Sequence, residues 1–260
     1  MYDLLDKQRI ITSIQPKNRR NLACLEIFET IDSTNNFLLN QAKNNAPSGS
    51  VCLAEQQTQG RGRRGRKWES PPGANIYCSM LWRFDELSND MSGLGLAVAT
   101  IVLATLKKYG VGVGVQLKWP NDVLFDGRKL AGILLESSDR LSVVIGVGLN
   151  VLAAPEMGSA VSIAEILRTV PVRNALVGLL IDELLEQLPR FEAQGLGVFL
   201  PEWRKYDVLS GKRVEVHLPD KVLGGLMRGV DEHGRLLLED ESGVVQRFSY
   251  GEVSVRKSEG

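Results

Sequence analysis

Residues 60–68 (Gly-Arg-Gly-Arg-Arg-Gly-Arg-Lys-Trp) set three glycines among five cations. Such a run makes poor helix, poor strand and poor core, so a mobile basic loop is expected. Glycine lets the backbone come close to a ligand, while arginine and lysine supply fixed charge and donors matched to carboxylate or phosphate. The chemistry indicated is the holding of a small anion. Gly60-x-x-x-x-Gly65-Arg66-Lys67 comes near a phosphate-binding P-loop, but the Lys-Ser/Thr ending and a following helix start are missing, which excludes that motif. A nuclear-localisation or RNA-binding arginine run competes with anion binding at this point.

A second block favours the small ligand. Lys118-Trp119-Pro120-Asn121-Asp122 precedes Arg128-Lys129-Leu130-Ala131-Gly132-Ile133-Leu134-Leu135-Glu136. Lys118, Asn121, Asp122 and Lys129 on neighbouring antiparallel strands can converge on one face, a combination that a surface hairpin does not need. Trp119 reads as core. Gly146-Val147-Gly148-Leu149-Asn150 adds small residues and an amide, but without a third glycine and a helix it fails the dinucleotide fingerprint. Asp32-Ser33-Thr34-Asn35 gathers hydroxyls and amides at a helix start, where capping alone accounts for one or two of them.

The patterning supplies a scaffold for these groups. Residues 3–14 are apolar at helical spacing, Pro16 ends that helix, and residues 17–21 form a polar connector. Strands are predicted at 22–31, 50–55 and 76–82, with a helix through Phe37, Leu38 and Ala42 between the first two. Residues 93–109 are almost wholly apolar at helical length, which predicts a helix deep in the core. A meander follows, with strands at 115–119, 123–125, 129–136 and 141–152; its Asp126-Gly127 pair is a hairpin signal. Helices are predicted at 162–167 and 172–193. The texture changes after Pro201-Glu202-Trp203. Five short alternating runs within 211–256, with turns at Pro219-Asp220, Glu232-His233-Gly234 and Glu241-Ser242-Gly243, predict a small barrel beyond a boundary near Ser210.

Composition narrows the classes. The 260 residues suffice for one large or two modest domains, and 31 basic residues balance 31 acidic ones. A nucleic-acid binder with a wide contact face carries a basic excess, so the charge of the loop is a local feature of a neutral chain. Cys24, Cys52 and Cys78 lie in strand-like runs without Cys-x-x-Cys spacing, which fits buried reduced thiols. With His217 and His233 as the two histidines, zinc chemistry and histidine acid/base work are not expected. There is no 18-residue apolar run and no signal-peptide pattern, so a cytoplasmic protein is expected.

In order, Asp-Ser-Thr-Asn, Gln-x-x-x-Gly-Arg-Gly-Arg-Arg-Gly-Arg-Lys-Trp, Lys-Trp-Pro-Asn-Asp, Arg-Lys-Leu-Ala-Gly-Ile-Leu and Gly-x-Gly-x-Asn resemble the biotin protein ligases. The resemblance runs from about Leu22 to the C-terminus. It implies an α+β fold: a catalytic domain like class II aminoacyl-tRNA synthetases with a mixed, largely antiparallel sheet, and a C-terminal SH3-like barrel. The chain is then divided as connector 1–21, catalytic domain 22–209 and barrel 210–260. Bacterial relatives often begin with a helix-turn-helix DNA-binding domain. This chain starts where that domain would be ending, so either a ligase-only form or a shortened chain is expected, and repressor activity is not carried over.

The implied reaction joins biotin to ATP as biotinyl-5'-AMP, with Mg²⁺, and passes biotin to a lysine of a biotin carboxyl carrier domain. The resemblance implies Lys129, Arg61 and Arg63 as catalytic residues, with Lys129 on the biotin carboxylate and α-phosphate. It implies a biotin site of Ser33, Thr34, Asn35, Gln57, Gly60, Arg61 and Lys129. It implies nucleotide contacts from Arg63, Trp68, Lys118, Asn121 and Asn150, and a metal contact from Asp122. A homodimer through sheet edges is a further implication; nucleic-acid and membrane partners are not expected. A lipoate ligase, a nucleic-acid-binding regulator and a biotin sensor without transfer activity are the competing readings.

Overall fold

Apolar alternation and turn chemistry build the sheet that carries the site. The computed structural model describes residues 3–85, 91–155, 158–218, 220–249 and 254–257. Its central strands are β1 (Cys24–Ile31), β2 (Ser50–Gln57), β3 (Ile76–Arg83), β4 (Val115–Lys118), β5 (Asp122–Phe125), β6 (Arg128–Ser137) and β7 (Ser142–Leu149). They line up as β1-β2-β3-β7-β6-β5-β4, with β1 parallel to β2 and every other neighbouring pair antiparallel. The expected mixed sheet of an α+β fold is therefore present. Asp126 and Gly127 both adopt positive φ, 47° and 78°, the paired left-handed turn that matches strand twist.

Helices cover the two faces unequally. They are α1 (Lys7–Thr12), α2 (Pro16–Arg19), α3 (Thr34–Lys43), α4 (Leu94–Lys108), α5 (Ile163–Leu167), α6 (Arg173–Gln194) and α7 (Leu200–Tyr206). α4 is apolar on every side and packs with α6 and one face of the sheet into the main core. Each leucine or isoleucine fully buried there contributes about 1.5–3 kcal/mol relative to exposure. α3 lies on the other face, over a smaller cluster of Leu38, Ala42, Cys52, Leu81 and Val144. That second face is only partly covered, and the cavity opens beside α3. No helix among the described residues is long and apolar enough to cross a membrane.

The N-terminal segment departs from expectation. Helix begins only at Lys7, where Asp6 caps it by accepting from Arg9 N at 2.7 Å. Residues 3–6 are not helical because their amides serve other elements: Leu5 N donates to Glu55 Oε1 at 2.6 Å and Asp6 N to Asn174 Oδ1 at 2.7 Å. Pro16 starts α2 rather than closing α1, and the polar connector is helical as far as Arg19. Proline at a first helical position costs no hydrogen bond, so its presence did not mark a stop. β2 also runs two residues past its predicted end, to Gln57. α7 was not anticipated; its seven residues are too few to show a period, although Trp203 is fully buried.

The second sheet comprises β8 (Arg213–His217), β9 (Val222–Val230), β10 (Leu236–Glu239), β11 (Val245–Phe248) and β12 (Ser254–Lys257), ordered β11-β10-β9-β8-β12 and antiparallel throughout. It supplies the small SH3-like C-terminal element. Pro219 of the predicted turn and the first two residues of the last predicted strand lie outside the described residues. Trp119 is buried as expected, and its indole N–H donates to Gly234 O at 3.0 Å, tying the two sheets together.

Candidate active site

The floor of the site is made by side chains that are missing. Gly132 pairs with Gly148, and Gly148 with Tyr77; one step along, Leu134 pairs with Gly146, and Gly146 with Ser79. Strand alternation sends Ile133, Ile145, Val147 and Leu149 into the main core, so the glycines open the opposite face. A Cβ on Gly148 would lie 2.5 Å from Trp68 Cε2, and one on Gly132 would lie 2.9 Å from Trp68 Cζ3. The indole therefore rests directly on both glycines. A cavity of about 460 Å³ opens here, within the roughly 300–1,000 Å³ usual for small-molecule sites.

One wall is polar and internally bonded. Ser33 caps α3, accepting from Asn36 N at 3.5 Å. Thr34 donates to Gln57 Oε1 through its backbone N–H at 3.0 Å and its hydroxyl at 3.2 Å, and Gln57 Nε2 donates to Ser70 Oγ at 3.1 Å. Ser79 Oγ lies 2.5 Å from Asn35 Oδ1 and 2.7 Å from Thr34 Oγ1. Asn35 Nδ2 donates to Glu136 Oε2 at 2.8 Å and to Leu134 O at 3.4 Å.

The opposite wall holds the cations. Lys129 Nζ sits 2.7 Å from Asp122 Oδ1 and 5.4 Å from the centre of the Trp68 ring. The Lys129 backbone is clamped: its N–H donates to Ser159 O at 2.8 Å, and its carbonyl accepts from Val161 N at 2.9 Å and from Asn150 Nδ2 at 3.2 Å. Lys118 pairs across β4 and β5 with Asp122. Arg61 Nη2 meets Glu136 Oε2 at 2.7 Å. Arg63 is buried and donates to Asn121 Oδ1 at 3.1 Å, while Asn121 Nδ2 donates to Ile133 O at 2.6 Å. Arg61 and Lys129 thus already face carboxylates that an anionic ligand could replace.

Ser33, Thr34, Asn35, Gln57, Arg61, Arg63, Trp68, Lys118, Asn121, Asp122, Lys129 and Asn150 all line this one cavity. Gly60 does not. It is buried behind the wall, where a Cβ would meet Trp68 O at 2.5 Å and Ser70 Oγ at 2.6 Å. The basic loop is folded back on itself, with Gly62 N donating to Arg66 O at 2.7 Å and Trp68 N to Gly60 O at 2.9 Å. Sequence reasoning missed Ser79, although a lone serine within the apolar run 76–82 was a usable signal. It also missed Tyr77, whose hydroxyl donates to Pro71 O at 2.9 Å at the loop's base. Glu136 ends the run 128–136, and its type and spacing alone assign it no role.

The cysteines behave as core. Cys52 and Cys78 are buried, Cys24 is partly so, and all three are free thiols. Burial pushes the Cys78 thiol up to about 12 and raises Cys52 and Tyr77 as well, which keeps all three protonated at neutral pH. Asp182, Glu183 and Glu186 cluster on α6, but Gln15 and Asn18 donate to Asp182, while Lys108 and Lys17 pair with Glu183 and Glu186. That cluster fastens α2 and α4 to α6.

Comparison with known proteins agrees with this geometry. Residues 27–150 match the biotin/lipoate A/B protein ligase family, and residues 209–256 match the biotin protein ligase C terminal domain. The chain is 37% identical to the bifunctional ligase/repressor BirA of Escherichia coli, over 99% of this chain and 82% of that protein. It is 36% identical to the biotin–[acetyl-CoA-carboxylase] ligase of Mycobacterium tuberculosis, over 83% of each. The biotin protein ligase of Aquifex aeolicus, solved in complex with biotin and ATP, superposes with a TM-score of 0.80 at 29% identity, covering 90% of this chain and 99% of that one. Five motifs spread over more than a hundred residues meet around one glycine-floored cavity, and the same stretch of chain carries the sequence match: this protein belongs to the biotin/lipoate A/B protein ligase family.

Proposed function

We propose that this cavity activates biotin with ATP to biotinyl-5'-AMP and that the protein then transfers biotin to a lysine of a biotin carboxyl carrier domain, of acetyl-CoA carboxylase or a similar enzyme. The observation that carries the reading is the placement of Lys129 and Arg61 on a cavity whose other wall is the Ser33, Thr34 and Gln57 array. A ureido ring needs paired donors and acceptors, and that array supplies them. The carboxylate at the other end of biotin must approach the α-phosphate of a polyanion, a repulsion that Lys129 and Arg61 offset by exchanging Asp122 and Glu136 for the ligand.

Attack of the biotin carboxylate oxygen on the α-phosphorus forms the acyl–phosphate bond and expels pyrophosphate. In the second half, the neutral amine of the carrier lysine attacks the acyl carbon, AMP leaves, and the amine gives up a proton. Trp68 closes over the nucleotide and limits water at the anhydride, while Lys118, Asn121, Asn150 and Arg63 surround the phosphates and base. Gly60 shapes the loop from behind. Asp122 gives the cavity a carboxylate beside the phosphate region, which suits Mg²⁺, an ion held by one or two protein carboxylates together with phosphates and water. Bound there, Mg²⁺ would neutralise phosphate charge.

The same reading divides the chain at residues 21 and 209 into connector, catalytic unit and barrel, and puts the protein in the cytoplasm with its carrier. β1, an edge strand of the central sheet, is the element that a second copy would extend in a homodimer.

The test is mass spectrometry of a carrier domain incubated with the protein, biotin, ATP and Mg²⁺, beside Lys129→Ala and with lipoate as the competing acid. A gain of one biotin with the wild type, and a rate lower by about 100-fold to 1,000-fold in the variant, is expected. Equal gain with both proteins removes Lys129 from its role; biotin binding without transfer makes the protein a sensor.

A further inference from the structure

Glu136 is absent from the cavity lining, yet one of its oxygens touches both walls. Oε2 accepts from Asn35 Nδ2 at 2.8 Å and from Arg61 Nη2 at 2.7 Å. The side chain is 26% exposed on β6, and Gly146 leaves the room that Asn35 needs, since a Cβ there would lie 2.3 Å from Asn35 Oδ1. A carboxylate accepts only, so its two contacts impose a direction on everything bonded beyond them.

That direction can be followed residue by residue. Asn35 Nδ2 faces two acceptors, Glu136 Oε2 and Leu134 O, so its Oδ1 must face Ser79. Oδ1 only accepts, so the Ser79 hydroxyl spends its single proton there. Thr34 then spends its own on Gln57 Oε1 or on Ser79 Oγ. Both hydroxyl protons are committed to the protein, and what the two oxygens can offer a ligand is lone pairs.

We propose that Glu136 is a positioning residue: it polarises this wall so that it selects ligands carrying N–H donors, and it parks Arg61 beside the same wall until an anionic ligand claims the guanidinium. The proposal rests on the biotin-ligase reading, and it identifies the recognised chemistry as the N–H edge of a cyclic urea. A disulfide ring such as that of lipoate has no N–H to offer and leaves the lone pairs unmatched, a mismatch that costs more than a lost contact because the oxygens remain desolvated.

The experiment is calorimetric binding of biotin, and of a biotin analogue with both ureido nitrogens methylated, to the full chain and to Glu136→Ala, Glu136→Gln and Asn35→Asp. Steady-state ligation with biotin is measured alongside. The expected results are biotin affinity about tenfold weaker in Glu136→Ala, discrimination against the methylated analogue shrinking by a similar factor, and kcat within about threefold. Glu136→Gln, whose amide oxygen still accepts from both donors, restores affinity to within about threefold. Asn35→Asp, lacking the amide donor, reproduces the loss and decides the matter if Glu136→Ala does not fold. Unchanged affinity and discrimination in Glu136→Ala, or in Asn35→Asp, overturn the proposal while leaving the ligase reading intact. A wild type that binds no biotin overturns both.

Discussion

Two carboxylate–cation regions of this molecule use the same chemistry to different ends. Beneath the base of the loop, Arg173 Nη2 meets Glu55 Oε2 at 2.5 Å, Arg173 Nη1 donates to Gly73 O at 2.6 Å, and Glu55 Oε1 accepts from Leu5 N. Those side chains are 1% and 8% exposed. In the cavity, the pairs Arg61–Glu136 and Lys129–Asp122 are roughly a quarter to two-fifths exposed. The enclosed pair is sealed from water and spends its remaining bonds on the backbone of Leu5 and Gly73, so it holds the N-terminal segment, β2 and α6 together. The open pairs can let go of a carboxylate and take up a ligand's anion while water fills in behind. Burial, and not residue type, separates structure from function here.

Breaking the enclosed pair should have the largest effect. Arg173→Met leaves Glu55 buried without its cation and should cost about 3–5 kcal/mol of stability, read as a lower midpoint in urea unfolding. A loss below about 1 kcal/mol would mean that Glu55 is readily rehydrated or neutralised, and the contrast with the cavity would collapse.

A smaller, local effect is expected where the loop meets the floor. Gly148→Ala puts a methyl against the Trp68 ring and should cost about 1–3 kcal/mol in repacking. Because the indole sits on the loop, the cost should fall on ATP, with KM for ATP up about tenfold and the urea midpoint little changed. A shift in the midpoint with KM unchanged would make the Trp68–Gly148 contact structural, like the enclosed pair.

The smallest effect should be at Cys78, which lines the cavity yet belongs to the core. Iodoacetamide at pH 8 should label Cys24 in the folded protein and reach Cys78 only on unfolding, as counted by peptide mass spectrometry. Its pKa is raised from an ordinary 9.0 to about 12, so the folded state keeps its proton longer than the unfolded chain. That contribution to stability is present below about pH 9 and is lost as pH rises toward 12. Rapid native labelling would show that the cavity floor opens.

What the sequence could and could not reveal follows from the range of the interactions involved. Helices and strands were legible where period and turn chemistry are local: the Asp126-Gly127 hairpin, the apolar α4 and the five short strands of the second sheet. The family motifs named twelve residues that the fold gathers into one cavity, because short motifs preserve the residue types a site needs. α7 and the start of α1 were not legible. α7 is too brief to show a period, and residues 3–6 are drawn out of helix by Glu55 and Asn174, far along the chain. Glu136 and Ser79 were also passed over, since their meaning lies in contacts with Asn35 and Arg61 across some 45 to 100 residues. Composition and spacing thus determined the elements and the kinds of chemistry on offer. Only the tertiary structure decided which charges are sealed, which can be exchanged, and which way the hydroxyl protons point, because exposure and hydrogen-bond direction are properties of neighbours that the chain order does not place side by side.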